Sequence, residues 1–178
     1  MNATLRLAIV EDLPQITKIY AQAVLTGMAS FEVIPPNLDA MQQRFDDLSR
    51  NNYPYIIAEI EGKLVGFAYS APYRSRPAYY WSVENSVYVD PEYQGRGIGK
   101  ILLLKLLDAS AKAGFRQMIA VIGDSNNHGS VGLHKACGFE MVGTIKDVGR
   151  KHGLWLDTVI MQISLGDGSS TPPTDENP

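Results

Sequence analysis

Cysteine is almost missing. Cys137 is the only one in 178 residues, so no disulfide can close within the chain and a stapled secreted scaffold is excluded. Positive charge is in deficit too: 16 Lys and Arg face 19 Asp and Glu, a formal net charge of -3. No global field therefore draws in nucleic acid or an anionic membrane surface. Long apolar runs are absent, the densest being Ile101 to Leu104, broken by Lys105 and Asp108. That falls far short of the roughly 20 residues of a membrane helix. The three histidines, His128, His134 and His152, show no ligand spacing with cysteine or carboxylates, and no metal is expected. The chain opens without the pattern of a signal peptide, so the expected compartment is the cytoplasm.

What is present is an ordinary globular composition, 45% hydrophobic and 20% charged, enough for one core. One domain is expected over residues 1–165. From Gly166 to Pro178 the composition turns to Gly, Ser, Thr, Pro and acids, which predicts a mobile tail.

The pattern alternates strands and helices without an internal repeat. A strand around Leu5 to Ile9 is followed by a helix opening at Asp12-Leu13-Pro14 and stopping at Gly27. Met28 to Asn37 reads as an irregular loop, and Leu38 to Arg50 as a second helix. Tyr55 to Ala58 and Leu64 to Tyr69, joined at Glu61-Gly62, read as a hairpin. A strand from Ser82 to Val89, a helix closed by Gly114, a strand from Arg116 to Ile122, a helix from Ser130 to Cys137, and strands at Phe139 to Val142 and Leu154 to Ile163 complete a mixed α/β chain.

Between strand and helix stands Gln94-Gly95-Arg96-Gly97-Ile98-Gly99-Lys100. Glycines let backbone amides approach an anion, and a helix start adds the positive end of its dipole. A diphosphate suits such a turn; so does a mere tight connection. The Walker pattern is not met, because Ile101 follows Lys100, nor is the dinucleotide fingerprint, which wants glycine where Lys100 stands.

Gln94-x-x-Gly97-x-Gly99 after Val87-Tyr88-Val89, followed downstream by Asn127-x-x-Ser130-x-x-x-His134-x-x-x-Gly138-Phe139, resembles the acetyl-CoA loop and second block of the GNAT acetyltransferase superfamily. Within it the chain is similar to the phosphinothricin and methionine sulfoximine N-acetyltransferase group. The similarity runs from about Leu5 to Ile163, through Phe31-Glu32, Pro72-Tyr73-Arg74-Ser75-Arg76, Tyr80-Trp81-Ser82-Val83-Glu84-Asn85 and Gly149 to Asp157. The resemblance implies a central, mixed, mostly antiparallel sheet splayed between its fourth and fifth strands and flanked by helices, with acetyl-CoA lodged in the splay. It implies that Val87, Tyr88 and Val89 hold the pantetheine and thioester, that Gly95, Arg96, Gly97, Ile98, Gly99 and Lys100 hold the pyrophosphate, and that Asn127 adds a contact. Gly132 stands where the group often carries Arg. A homodimer is implied as well.

Acetyl transfer to an amine needs the free base, so a proton must be removed. Glu84 is the candidate base, since a carboxylate in an aromatic neighbourhood can be raised toward the working range, and the resemblance places a catalytic glutamate there; pattern alone favours an exposed residue of an alternating strand. Glu32 is a second candidate base or substrate contact, or a solvated loop acid. His134 has the pKa range to protonate the departing thiolate, against the plain reading of a hydrogen-bonded helix histidine. Arg74 and Arg76, two apart, would point the same way in an extended segment and clasp a carboxylate or phosphinate, with Tyr73 and Ser75 beside them; their alternative is a solvated loop. Lys146, Arg150, Lys151 and His152 supplement these or coat the last hairpin. Cys137 reads as a packing group, so direct attack in a ternary complex is expected. The expected acceptor is a small amino-acid-like amine. The competing readings are a polyamine, aminoglycoside or protein amine as acceptor, and a CoA-binding module without turnover.

Overall fold

A computed structural model describes residues 3–173. Seven strands form one sheet in the order β1-β2-β3-β4-β5-β7-β6: β1 Thr4–Leu7, β2 Tyr55–Ile60, β3 Lys63–Pro72, β4 Ser82–Val89, β5 Gln117–Gly123, β6 Glu140–Lys151 and β7 Leu154–Ser164. The helices are α1 Leu13–Thr26, α2 Leu38–Arg50, α3 Ile98–Lys112 and α4 His128–Ala136.

Each face of the sheet buries its own core, because the strands are apolar on both sides. Leu102, Leu103 and Leu106 of α3 pack with Ala58, Val65, Ala68 and Val83, flanked by Val131 and Leu133 of α4. On the other face, Leu13, Ile16, Ile19, Tyr20 and Val24 of α1 and Met41 and Phe45 of α2 close over Ile57, Leu64 and Phe67.

All neighbouring strands are antiparallel except β4 and β5. Those two pair in parallel over three residues only, Ser82↔Gln117, Val83↔Met118 and Glu84↔Ile119. Beyond this β4 stays with β3 as far as Val89↔Gly66, while β5 stays with β7 as far as Gly123↔Thr158. The sheet opens like a V with its point at Glu84, as the expected GNAT fold requires.

Most elements lie where the pattern put them, the stop at Gly27 included, and two differences, at α4 and β6, have physical causes. Gly27 ends α1 in an extended conformation, φ −104° and ψ 162°; glycine is needed because a Cβ there would lie 2.8 Å from the Ala23 carbonyl oxygen. α4 starts at His128, since the Asn127 side chain accepts the Ser130 N–H at 3.1 Å as an N-cap. β6 runs to Lys151 instead of stopping near Val142. It is an edge strand whose side chains are mostly exposed, and its register shifts twice, so it carries no apolar alternation to read.

Arg116, half-buried, holds the segment after β7: it donates to Thr171 Oγ1 at 3.2 Å and the Pro172 carbonyl at 3.1 Å and lies 3.7 Å from Asp167. The remainder of the expected tail, 174–178, lies outside the described residues.

Candidate active site

The V opens into a cleft of about 950 Å³. One wall is the free edge of β4, with Val87, Tyr88 and Val89; beneath it the turn of Gly95, Gly97, Ile98, Gly99 and Lys100 leads into α3; Asn127, Ser130 and His134 of α4 face it. Gly95 and Gly97 adopt φ of +73° and +80°, a conformation costly for residues with a Cβ. A Cβ on either would meet nothing within 4 Å, so the loop presents bare backbone to the cleft. The first amides of α3 have no partner within their own helix. Gln94 serves differently from the glycines: its Nε2 donates to the Val89 carbonyl at 3.1 Å and ties the loop to the strand. Arg96 does not line the cleft; its guanidinium lies 5.1 Å from the Tyr93 ring centroid.

Glu84 sits at the fork, opposite Ala71 on β3 and Ile119 on β5. Alternation along β4 sends Val83 and Val87 into the α3 core and Glu84 and Tyr88 to the α1 face. Glu84 is therefore half-buried and lines the cleft. Burial pushes its pKa up, and the charge of Arg74 partly offsets that. The surrounding phenols stay protonated at neutral pH: burial carries Tyr69 up to about 12 and raises Tyr20 and Tyr88.

His134 is only 4% exposed. Nδ1 lies 2.8 Å from the Ser130 carbonyl oxygen, which can only accept, so Nδ1 carries the proton. Nε2 then accepts from Asn85 Nδ2 at 2.8 Å. Burial lowers the imidazole pKa, and the Ser130 bond opposes this.

At the far end lie Tyr20, Ser30, Phe31, Glu32, Tyr69 and Thr158. Glu32 lines this chamber and is held by Arg44 at 2.8 Å. Tyr73, half-buried, and Arg74, Ser75 and Arg76, exposed, stand outside it in the turn that follows β3. Arg74 folds back over the Tyr73 ring, 4.3 Å from its centroid, and donates to the Tyr73 carbonyl at 3.0 Å. Its influence on Glu84 is through charge.

Three features of this chamber escape a reading of motifs. Phe31 wedges its ring against the backbone of Gly123 and Gly149, where any Cβ would collide with it. Lys151, 2% exposed, donates to the Ser30 carbonyl at 2.7 Å, and burial lowers its pKa. Tyr20 and Tyr88 meet edge to face at 4.9 Å. Phe31 and Gly149 belong to group-like segments of the sequence, but their contact spans more than a hundred residues. Of the other hairpin cations, Lys146 pairs with Asp157 at 2.7 Å and Arg150 lies 5.5 Å from the Trp155 ring centroid. Among the described residues no cluster of His, Cys, Asp and Glu is arranged to hold a metal ion.

A splayed sheet with a glycine cradle below and a half-screened carboxylate at its fork is the scaffold of an acetyltransferase. The family model of the GNAT acetyltransferases matches residues 18–139. The chain is 47% identical to a phosphinothricin N-acetyltransferase of Alcaligenes faecalis, covering 96% of this chain and 86% of that protein. It is 38% identical to an L-methionine sulfoximine/L-methionine sulfone acetyltransferase of Pseudomonas aeruginosa, covering 97% and 100%. The crystal structure of a phosphinothricin acetyltransferase from Sinorhizobium meliloti, in complex with acetyl-CoA, superposes with a TM-score of 0.95 at 47% identity, over 99% of this chain and 95% of that one. The chain belongs to the GNAT acetyltransferase family. More narrowly, it is an N-acetyltransferase of the group that holds these relatives.

Proposed function

We propose that this enzyme transfers the acetyl group of acetyl-CoA to the α-amine of a small amino acid of the phosphinothricin, methionine sulfoximine or methionine sulfone kind. The observation that carries the reading is the position of Glu84, where the free edge of β4 meets the tyrosine-lined chamber. The residues present fit acetyl-CoA. The glycine backbone of the turn at Gly95 and Gly97 and the amides that open α3 ahead of Lys100, whose own N–H is spent on the Gly97 carbonyl, suit a diphosphate. The edge of β4 beyond Glu84 has no neighbouring strand on the β5 side, and its Val87, Tyr88 and Val89 backbone suits the amides of pantetheine. Asn127 spends its side-chain oxygen on Ser130 and offers the cofactor its Nδ2. When bound, acetyl-CoA supplies the activated acyl group.

Glu84 takes one proton from the acceptor ammonium, directly or through a water, and frees the lone pair. The nitrogen then attacks the thioester carbonyl, a backbone N–H of β4 steadies the oxyanion, and the C–S bond breaks. The nitrogen sheds its second proton and the departing sulfur regains one, with His134 as the carrier. Glu32 and its partner Arg44 border the acceptor, and Arg74 and Arg76, in the exposed turn outside the chamber, lend positive charge toward its acidic end.

The test is release of CoA thiol against a panel of acidic amino-acid analogues, polyamines, an aminoglycoside and peptides. Release confined to the amino-acid analogues, and cut by about 10²- to 10⁴-fold in Glu84→Gln, is the expected result. Preference for polyamines or peptides overturns the acceptor; a chain that binds acetyl-CoA without turnover overturns the catalytic reading.

A further inference from the structure

His134 and Asn85 form a pair whose hydrogen bonding is incomplete in an informative way. Asn85 is 6% exposed, and its Nδ2 donates to His134 Nε2. Its Oδ1 is buried and has no hydrogen-bond partner. A buried carbonyl left unpaired forfeits its hydration without a replacement, so such an atom calls for an explanation. His134 is anchored at its other nitrogen by the Ser130 carbonyl, which holds the Nδ1–H whatever the state of Nε2. The Ser130 hydroxyl at 3.4 Å and the Phe139 ring, edge to face at 4.9 Å, complete its setting.

We propose that Asn85 is a positioning residue for His134, a side-chain amide with two settings: Nδ2 donates to the neutral ring, and a half-turn about the last side-chain bond brings Oδ1 round to accept Nε2–H from the charged one. In either setting both ring nitrogens are hydrogen-bonded, and one amide atom of Asn85 is left over. As the amide turns from one setting to the other, Nε2 is uncovered and exchanges one proton with the cleft while the ring and α4 stay in place; the two settings cap it before and after. Its use rests on the acetyl-transfer reading: the proton stored at Nε2 is the one the acceptor nitrogen sheds and the CoA sulfur regains.

Nothing else near the ring takes over this task. Glu84, next along β4, points to the opposite face of the sheet. Lys135 is exposed on α4. Lys100 at the start of α3 acts on the Cys137 thiol. The β5 residues on the cleft are Ala120, Val121, Ile122 and Gly123.

The experiment is ¹⁵N NMR of the histidine rings across pH, in the wild type, Asn85→Asp and Asn85→Leu, with His134→Gln to assign the signals. The wild type should show the neutral Nδ1–H form at pH 7. Asn85→Asp should raise the His134 midpoint by about one unit or more, because a carboxylate favours the imidazolium, and Asn85→Leu should lower it. In turnover, the pH limb of kcat should move in the same directions while the KM for acetyl-CoA stays within about twofold. A wild-type Nε2–H form, or midpoints unmoved in both variants, overturns the proposal. Should Asn85→Asp not fold, the wild-type tautomer and Asn85→Leu decide. If the midpoints shift as expected but no amino acid is acetylated, the functional reading fails and the pair stands.

Discussion

Glu84 shows how one residue inherits its chemistry from its neighbours. Its strand position alone allows a solvated acid; the fork of the sheet and the surrounding phenols raise its pKa. The proposed base must be ionised to work, so on that reading activity should rise with pH through a midpoint above the ordinary carboxylate value. Arg74 favours the ionised form. Arg74→Ala should therefore move the acid limb of kcat/KM to higher pH, which a pH–rate profile at saturating acetyl-CoA checks. A limb left in place would confine Arg74 to the surface. Asp12 behaves oppositely. Burial pushes its pKa up, but Arg6 at 2.7 Å and the Ile9 N–H at 2.8 Å outweigh that and leave it lowered. Its contribution to stability is present above the unfolded value of about 4 and is lost as pH falls through the lower folded value. Asp12→Asn should cost about 1.5–3 kcal/mol at pH 7, with a smaller deficit in acid, measured by urea unfolding at both pH values.

Two elements are tuned by single glycines. The turn before α3 needs φ of +80° at Gly97, so Gly97→Ala should strain it by about 1–2 kcal/mol and weaken acetyl-CoA binding by about 5- to 30-fold, read by fluorescence titration. The α1–α2 loop is seated on β6 because Gly149 leaves room for Phe31. Gly149→Ala should displace Phe31 and raise the KM for the acceptor while that for acetyl-CoA stays near its wild-type value, a split that initial-rate kinetics resolves. The glycine turn was legible from its spacing. The Phe31 seat was not, because no local pattern marks a contact between residues 31 and 149.

At the scale of the molecule, the last hairpin leaves Met141, Val142, Ile145, Val148, Leu154 and Trp155 more than half exposed, an apolar stretch that suits a second copy of the chain. A homodimer is the expected state, and light scattering should report a mass near twice the 19.6 kDa of the chain, falling toward one chain in a Val148→Asp/Trp155→Asp variant. Element order, the glycine turn before α3 and the two motif blocks proposed for the cofactor were open to inspection in the residues themselves, since apolar periodicity, glycine punctuation and motif spacing are local properties. The length of β6 was hidden, because an exposed edge strand has no face to alternate. The fork at Glu84, the turning away of Arg74 from the cleft, the burial of Lys151 on Ser30 and the pairing of Asn85 with His134 were decided by the tertiary structure alone. Each depends on which strands part and which side chains lose water, and those are properties of distances between segments far apart along the chain.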